Sequence, residues 1–384
     1  MAAAIVVMGL GLAACGSDSE GSSSGEIVIA TDMPLSGGGT STCKPIADGS
    51  AAWFEKVNAE GGVHGKKIKN IVEDDALNPS EAITNVRGFV ADDSVVALFS
   101  GCGSAVTQAV LPVLKGSDLA YFFPWAQAPG LAAEPNVFML QPEWDEQAGP
   151  AIADVLDRFG SGSVYYIGQA IPGIEEDIKN VQKDVEAAGG EFVGSSVVKI
   201  NETDVTSTIL KIKSLKPDYV VSVITSGDQA RVVKAMDAQS AFPQKYLLTS
   251  GTAATDAFLS GIGDVPIDGK TLAFSVTAAP ASDQGKECVE AFKKYAPGLI
   301  ADAQSLIGCT NAQAMIAALE DAGKNPTRAS VSKAVEAWSE KKVSEALPPV
   351  TFSGDDHQGI HSLFVLGFDG GKIIPSFEVE LPSP

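Results

Sequence analysis

Glu26-Ile27-Val28-Ile29-Ala30-Thr31 carries four consecutive apolar residues with no polar interruption. A strand with one wet face alternates polar and apolar side chains. An unbroken run instead marks a strand covered on both faces, as in parallel sheets flanked by helices. Outward from this strand the pattern repeats. A helix is predicted over 47–59, a strand over 67–73, a helix over 79–91, a strand over 95–100, a helix over 105–115 and a strand over 120–123. After a loop through Pro124 and Trp125 the alternation restarts, with strands over 163–167, 191–198, 219–224 and 246–249 and helices over 175–188, 205–214 and 229–239. Strand and helix alternating at this spacing predict an α/β fold of doubly wound parallel sheets. Two such runs, joined near 141–149, predict two lobes.

The chain before the first strand reads differently. Residues 2–14 are apolar and uncharged, too short for a hydrocarbon core that needs about 20 apolar residues, but of the length of a signal-peptide core. The run ends in Leu12-Ala13-Ala14-Cys15, which resembles the bacterial lipobox, where the cysteine sulfur takes up diacylglycerol. The segment 16–25, Gly-Ser-Asp-Ser-Glu-Gly-Ser-Ser-Ser-Gly, has nothing with which to build a core. The reading is a signal peptide over 1–14 and a lipidated flexible tether over 15–25. It makes the protein exported and held at the outer face of the cytoplasmic membrane by lipid alone.

Composition narrows the partners. A net charge of −21 argues against nucleic acid, which calls for a basic face. Of five cysteines, lipidation of Cys15 leaves four: Cys43, Cys102, Cys288 and Cys309. An even remainder in an oxidising compartment predicts two disulfides, with three possible connectivities and no metal-ligand spacing. Cys43 lies just past the loop of the first strand and Cys102 just past the third. Those strands are neighbours in a doubly wound sheet, so Cys43 is expected to pair with Cys102. Cys288 and Cys309 sit on successive predicted helices and are expected to pair with each other.

Open α/β sheets bind ligands beyond the carboxyl ends of their strands. In the first lobe the loops to inspect are 34–39, Gly101-Cys102-Gly103-Ser104 and Pro124-Trp125-Ala126-Gln127. In the second they are 168–173, Thr225-Ser226-Gly227-Asp228 and Ser250-Gly251-Thr252. Glycines allow close backbone approach to a ligand. Ser104 opens a helix, where amide hydrogens and a hydroxyl suit a carboxylate, and Trp125 stands beside the cleft, placed to stack on a ligand or to pack under the hinge. No dinucleotide or Walker glycine spacing is present.

Several first-lobe blocks resemble one family closely: Pro34-Leu35-Ser36-Gly37, Gly49, Asn58-x-x-Gly61-Gly62-Val63-His64-Gly65-Lys66-Lys67-Ile68, Asp74-Asp75, Asn78-Pro79 and Val95-Val96. They look like the branched-chain amino acid (leucine/isoleucine/valine) binding proteins, the type I solute receptors of ABC importers. The likeness extends through Pro348-Pro349-Val350-Thr351-Phe352 and Phe368-Asp369-Gly370-Gly371-Lys372. It implies two discontinuous lobes, 26–147 with 277–345 and 148–276 with 346–384, joined by three crossovers and closing on a small-molecule ligand. It also implies permease and ATPase subunits as partners, although the same fold serves sensors that signal to a partner instead.

The resemblance carries over residue by residue only in part. Family members grip the ligand's carboxylate with a serine after the third strand and backbone after the fourth, which match Ser104 and Ala126, with Gln127 where threonine is usual. In the second lobe Thr225 or Ser226, Gly251 and Thr252 fall at ligand positions, but no acid stands where the family's glutamate meets the ammonium. Asp228 lies nearby, as a substitute acid or as a cap of the following helix. The expected ligand is a small organic solute, amino acid-like or a carboxylate: the positions suit a carboxylate, and the α-amino site is left open with Asp228 as its candidate.

No catalytic constellation competes with this reading. No G-x-S-x-G elbow stands between a predicted strand and helix, and no helical H-E-x-x-H occurs. Asp355-Asp356-His357-x-x-x-His361 has metal-ligand residue types, but Gly359 breaks any helical face, so a turn before the last strands is expected. The sequence calls for no cofactor and no metal.

Overall fold

The computed structural model describes residues 25–126, 130–142, 144–171, 173–354 and 357–381. The expected signal peptide, Cys15 and most of the tether lie outside the described residues, as does Gln127. In chain order the elements are β1 (Glu26–Asp32), α1 (Thr40–Ala59), β2 (Lys67–Glu73), α2 (Pro79–Ala91), β3 (Val95–Phe99), α3 (Ser104–Lys115), β4 (Tyr121–Phe122) and β5 (Val137–Phe138). Next come α4 (Trp144–Phe159), β6 (Ser163–Gln169), α5 (Ile174–Ala187), β7 (Glu191–Val198), α6 (Thr206–Leu215), β8 (Tyr219–Val223), α7 (Ser226–Ala238), β9 (Tyr246–Ser250), α8 (Asp256–Ile262) and β10 (Thr271–Ser275). The chain ends with α9 (Lys286–Tyr295), α10 (Ala303–Asp321), α11 (Arg328–Glu336), β11 (Ser362–Asp369) and β12 (Lys372–Glu380).

Two sheets form two lobes. The first has the order β2-β1-β3-β4-β5 and is parallel throughout; the second has the order β12-β11-β10-β9-β8-β6-β7. The unbroken apolar run of β1 is explained by its neighbours. Ile27 and Ile29 pack with α1, α9, α10 and α11 on one face, whereas Val28 and Ala30 meet α2 and α3 on the other. The second sheet is covered in the same way, by α6 to α8 on one side and α4 and α5 on the other. The chain therefore crosses between lobes three times: after β5, after β10 and after α11.

Local chemistry sets the element ends. Asn78 accepts from Ser80 N at 2.9 Å and Pro79 takes the first helical position, where its missing N–H costs nothing. Asp302 and Ser305 form a reciprocal capping box at the start of α10, a helix buried on all sides.

The structure corrects several expectations. α1 begins at Thr40, not at 47, and contains Pro45. Proline removes one helical hydrogen bond and so reads as a breaker, but burial of Cys43 and Ile46 on this turn outweighs that loss. The second sheet is not wholly parallel: β10, β11 and β12 pair antiparallel. β11 and β12 are joined by Gly370 and Gly371 with φ of 56° and 70°, the left-handed pair that a tight hairpin requires. β5, too, was not foreseen.

Candidate functional site

β3 and β4 end side by side, and their outgoing loops are interlocked. Trp125 N donates to Gly101 O at 2.6 Å and Gly103 N donates to Trp125 O at 2.9 Å. Gly101 cannot be replaced without disruption, since a Cβ there would lie 1.6 Å from the Tyr121 hydroxyl. Gly103 takes φ 107° and caps α3. Ser104 is thus the first residue of the helix rather than its cap and is half-buried; the two segments pair in parallel, so the buried Ala126 leaves the pair on the same side. Trp125 is half-buried against the cluster that holds Met33, Cys43, Ile46 and Cys102. A disulfide joins Cys43 to Cys102 and pins the first turn of α1 to this loop; a second joins Cys288 to Cys309 between α9 and α10. Both pairings are the expected ones.

In the second lobe the loops after β6, β8 and β9 share one hydrogen-bond network. Thr225 N donates to Gln169 Oε1 at 2.8 Å, Ser226 Oγ to Thr252 O at 2.7 Å, and Thr252 Oγ1 to Ile224 O at 2.7 Å. Gly251 opens a short 3-10 turn at the end of β9. Asp228 is not the cap of the following helix that the sequence suggested. Thr225 is the N-cap and Asp228 lies inside the first turn of α7, its side chain fully buried. The reason is that α7 starts at Ser226, three residues earlier than the sequence suggested. The Asp228 carboxylate accepts from Thr225 Oγ1 at 2.8 Å, Asn201 N at 3.2 Å and Gln169 Nε2 at 3.4 Å, and it is paired with Arg231.

The carboxyl ends of β1 and β2 hold a pair that the sequence reading passed over. Asp32 and Asp75 are both buried. Asn85 Nδ2 donates to Asp32 Oδ1 at 2.8 Å and Leu77 N donates to Asp75 Oδ1 at 2.6 Å. Burial is the main cause that pushes Asp32 up to about 6 and Asp75 up to about 7, and the Asp32 charge adds to the shift of Asp75. Burial, and then the nearby Asp32 charge, likewise pushes the Tyr121 hydroxyl up. Asp74-Asp75 was visible in the sequence as a motif, but nothing there signalled that one aspartate turns inward onto Asp32.

Two of the three histidines, His64 and His357, take structural places. His64 Nε2 lies 3.0 Å from Glu320 O in a tight turn, and His357 stacks on Phe138 with Nδ1 3.0 Å from Val137 O. Asp355 and Asp356 lie outside the described residues. Among the described residues no cluster of three or more His, Cys, Asp or Glu is arranged to hold a metal. A groove of about 650 Å³ opens between α1, the segment 295–300 and the start of α8, with Asp48, Glu55, Asp256 and Asp302 on its walls. None of the sequence-predicted ligand residues lines it.

A sequence-family model described as periplasmic binding protein matches residues 26–372, nearly the whole body of both lobes. The chain belongs to the periplasmic binding protein family. This binding protein is 22% identical over 319 residues to the Leu/Ile/Val-binding protein homolog 1 of Brucella suis, covering 82% of this chain and 84% of that one. It is 22% identical over 353 residues to an amino acid binding protein of Pseudomonas aeruginosa, at 88% and 92% coverage. Its fold matches a branched-chain amino acid ABC transporter protein of Thermus thermophilus with bound valine, with a TM-score of 0.83 at 16% identity over 94% and 97% of the two chains. It also matches a fatty acid ABC transporter substrate-binding protein of Thermomonospora curvata, with a TM-score of 0.79 at 18% identity over 94% and 93%. These relatives are binding proteins rather than enzymes, and family membership makes this chain an extracytoplasmic solute-binding protein.

Proposed function

We propose that this binding protein is a lipid-anchored receptor of an ABC importer that captures a small organic acid by closing its two lobes. The captured solute then passes to a permease driven by ATPase subunits. The observation that carries the ligand class is the interlocked loop pair that brings the start of α3 at Ser104 together with Ala126. A helix start presents backbone N–H groups without intrahelical acceptors, and the peptide dipole there favours negative charge. Gln127 and Trp125 complete this half of the site in our reading.

Thr225, Ser226, Gly251 and Thr252 form the other half. The hydroxyl protons of Ser226 and Thr252 are already donated to backbone carbonyls, and Thr252 Oγ1 also accepts from Ser250 Oγ at 2.8 Å, so Ser226 Oγ and the second lone pair of Thr252 Oγ1 are left as acceptors. They suit a hydroxyl or amide N–H of the ligand. An ammonium closed inside the cleft needs a counter-charge, because desolvating an unpaired ion costs several kcal/mol. Asp228 is already paired with Arg231 and hydrogen-bonded on both oxygens, and we read it as a support of this half rather than an ammonium partner. The family fold carries valine in one relative and bears the name of a fatty acid transporter in another, so the chemistry of the loops has to discriminate.

The lobes are proposed to divide at 26–147 with 277–345 and 148–276 with 346–384, and the ligand leaves chemically unchanged. Mass spectrometry of material carried through a native purification identifies the solute directly. Calorimetry then compares leucine and valine with 4-methylpentanoate and 3-methylbutanoate. We expect loss of the amine not to weaken binding. Leucine binding far more tightly than its deaminated analogue would overturn the organic-acid reading.

A further inference from the structure

We propose that Asn311 is the positioning residue of the first lobe's ligand loops, its one side-chain amide holding both strand ends from which those loops spring. The inference rests on the reading of Ser104 and Ala126 as ligand positions, because those residues end the loops concerned.

Asn311 lies mid-way along α10 and is 2% exposed. Its Nδ2 donates to Ser100 Oγ at 3.1 Å and to Phe123 O at 3.0 Å, using both amide hydrogens. A backbone carbonyl can only accept, so the contact with Phe123 O fixes which way the amide faces. Ser100 and Phe123 occupy equivalent places, each immediately after a parallel strand. Strand pairing persists up to them: Ser100 N donates to Phe122 O at 2.8 Å and Phe123 N to Phe138 O at 2.7 Å. Both then turn left-handed, with φ of 47° and 59°. Neither is glycine, and for a bulky phenylalanine this conformation is an outlier. Backbone in such regions persists where its surroundings over-determine it.

The two left-handed residues redirect the chain from the sheet into 101–104 and 124–126, the segments that interlock through Trp125. Asn311 is the group that touches both bends at once. It can act as a fixed post because α10 is itself held. The Cys288–Cys309 disulfide closes two residues away, Ser50 Oγ donates to Gly308 O at 2.9 Å, and Ala303 N donates to Ala254 O of the second lobe at 3.1 Å. A buried asparagine serving only helix packing would have no need to meet two strand ends at their points of strain.

Hydrogen exchange read by mass spectrometry on the ligand-free protein tests this. Asn311→Asp keeps the shape, but the ionised carboxylate cannot donate to Phe123 O. We expect exchange in 100–104 and 123–126 to accelerate at least tenfold at pH 7.5, with 219–223 in the second lobe unchanged. After correction for intrinsic rates, protection should return toward pH 5 as the new carboxyl takes up a proton. Ser100→Gly tolerates the left-handed bend and removes only one acceptor, so it should loosen the first segment and spare the second. A folded Asn311→Asp protein with wild-type exchange in both segments overturns the proposal, and so does acceleration spread evenly over both lobes. Loosened loops with undiminished 4-methylpentanoate affinity would sustain the role of Asn311 and overturn the assignment of the ligand to Ser104 and Ala126.

Discussion

Gly49 of α1 and Gly308 of α10 meet where the two helices cross, and neither leaves room for a methyl group. A Cβ on Gly308 would lie 2.0 Å from Ile46 O, and one on Gly49 would lie 2.2 Å from Ser305 O. The atoms in the way are backbone, which cannot swing aside as a side chain can. Gly308→Ala is therefore expected to force the helices apart and destabilise the protein by about 3 kcal/mol, the upper part of the overpacking range. Urea unfolding monitored by circular dichroism reads this as a lowered midpoint. An unchanged midpoint would mean that the crossing is not close-packed.

Arg328 gathers the carboxyl end of α2. Its guanidinium donates to Asp92 O at 2.8 Å, Val90 O at 3.1 Å and Phe89 O at 3.3 Å, and to Val95 O at 2.9 Å. It also meets Asp118 at 2.7 Å, but that carboxylate is 77% exposed. Exposed ion pairs contribute at most about 1 kcal/mol, whereas charged hydrogen bonds to carbonyls contribute about 1.5–3 kcal/mol. Arg328→Gln should thus lower stability by about 2–4 kcal/mol and Asp118→Asn by less than about 1 kcal/mol. Equal effects in thermal unfolding would show that the salt bridge, not the carbonyl cluster, matters.

The sequence carried the fold further than it carried the site. The Ile27 to Ala30 run and the strand-helix alternation were enough for two doubly wound lobes, since burial on both faces leaves a direct mark on composition. The Cys43–Cys102 disulfide followed from strand adjacency, and Cys288–Cys309 from their places on successive helices. What stayed hidden depended on contacts distant in the chain. Asp75 turns onto Asp32 because β1 and β2 pair in parallel, and Asn311 finds Ser100 across 211 residues. Pro45 inside α1 argued against the helix that burial of Ile46 imposes. The sequence shows both Asp228 and Arg231 three residues on, but not the burial that pairs them or the contacts that Gln169 and Asn201 bring to the same carboxylate.

The Asp32 and Asp75 pair makes stability fall as pH rises. Both carboxyls stand above their unfolded value, so the folded state favours the protonated form. Their contribution is complete below about pH 4 and is lost as pH climbs through about 6 and 7. Asp75→Asn keeps an acceptor for Leu77 N and offers a donor to Asp32. It should stabilise the protein by ~2 kcal/mol at pH 8 and by much less at pH 5. Comparing the two proteins by thermal unfolding cancels the general repulsion among the other acids. A difference independent of pH would show that the pair does not titrate together.

The two disulfides should differ in consequence. Cys43 and Cys102 are 59 residues apart and Cys288 and Cys309 are 21 apart. Chain entropy alone gives about 4 and about 3 kcal/mol for closing loops of those lengths. Cys102 lies within the Ser104 loop, so Cys43→Ser with Cys102→Ser should loosen 101–104 in hydrogen exchange as well as lower stability. Cys288→Ser with Cys309→Ser should lower stability with a smaller effect on that loop. Peptide mapping without reduction that linked Cys43 to Cys288 would contradict both statements.

Asp228 offers the sharpest separation of a supporting role from an ammonium site. Its carboxylate holds Thr225, Gln169 and the backbone of Asn201 while balancing Arg231. Asp228→Asn keeps the shape but leaves the guanidinium without its counter-charge and weakens the hold on Thr225. If Asp228 only supports the second-lobe loops, affinity should fall by a similar factor, about tenfold for 1.4 kcal/mol of lost support, for leucine and for 4-methylpentanoate alike. If it is an ammonium partner, the loss should be confined to the amine-bearing ligand. Calorimetry of the two ligands against wild type and variant gives the ratio directly. A selective loss for leucine would place an ammonium at Asp228 and remove the main argument for an organic acid.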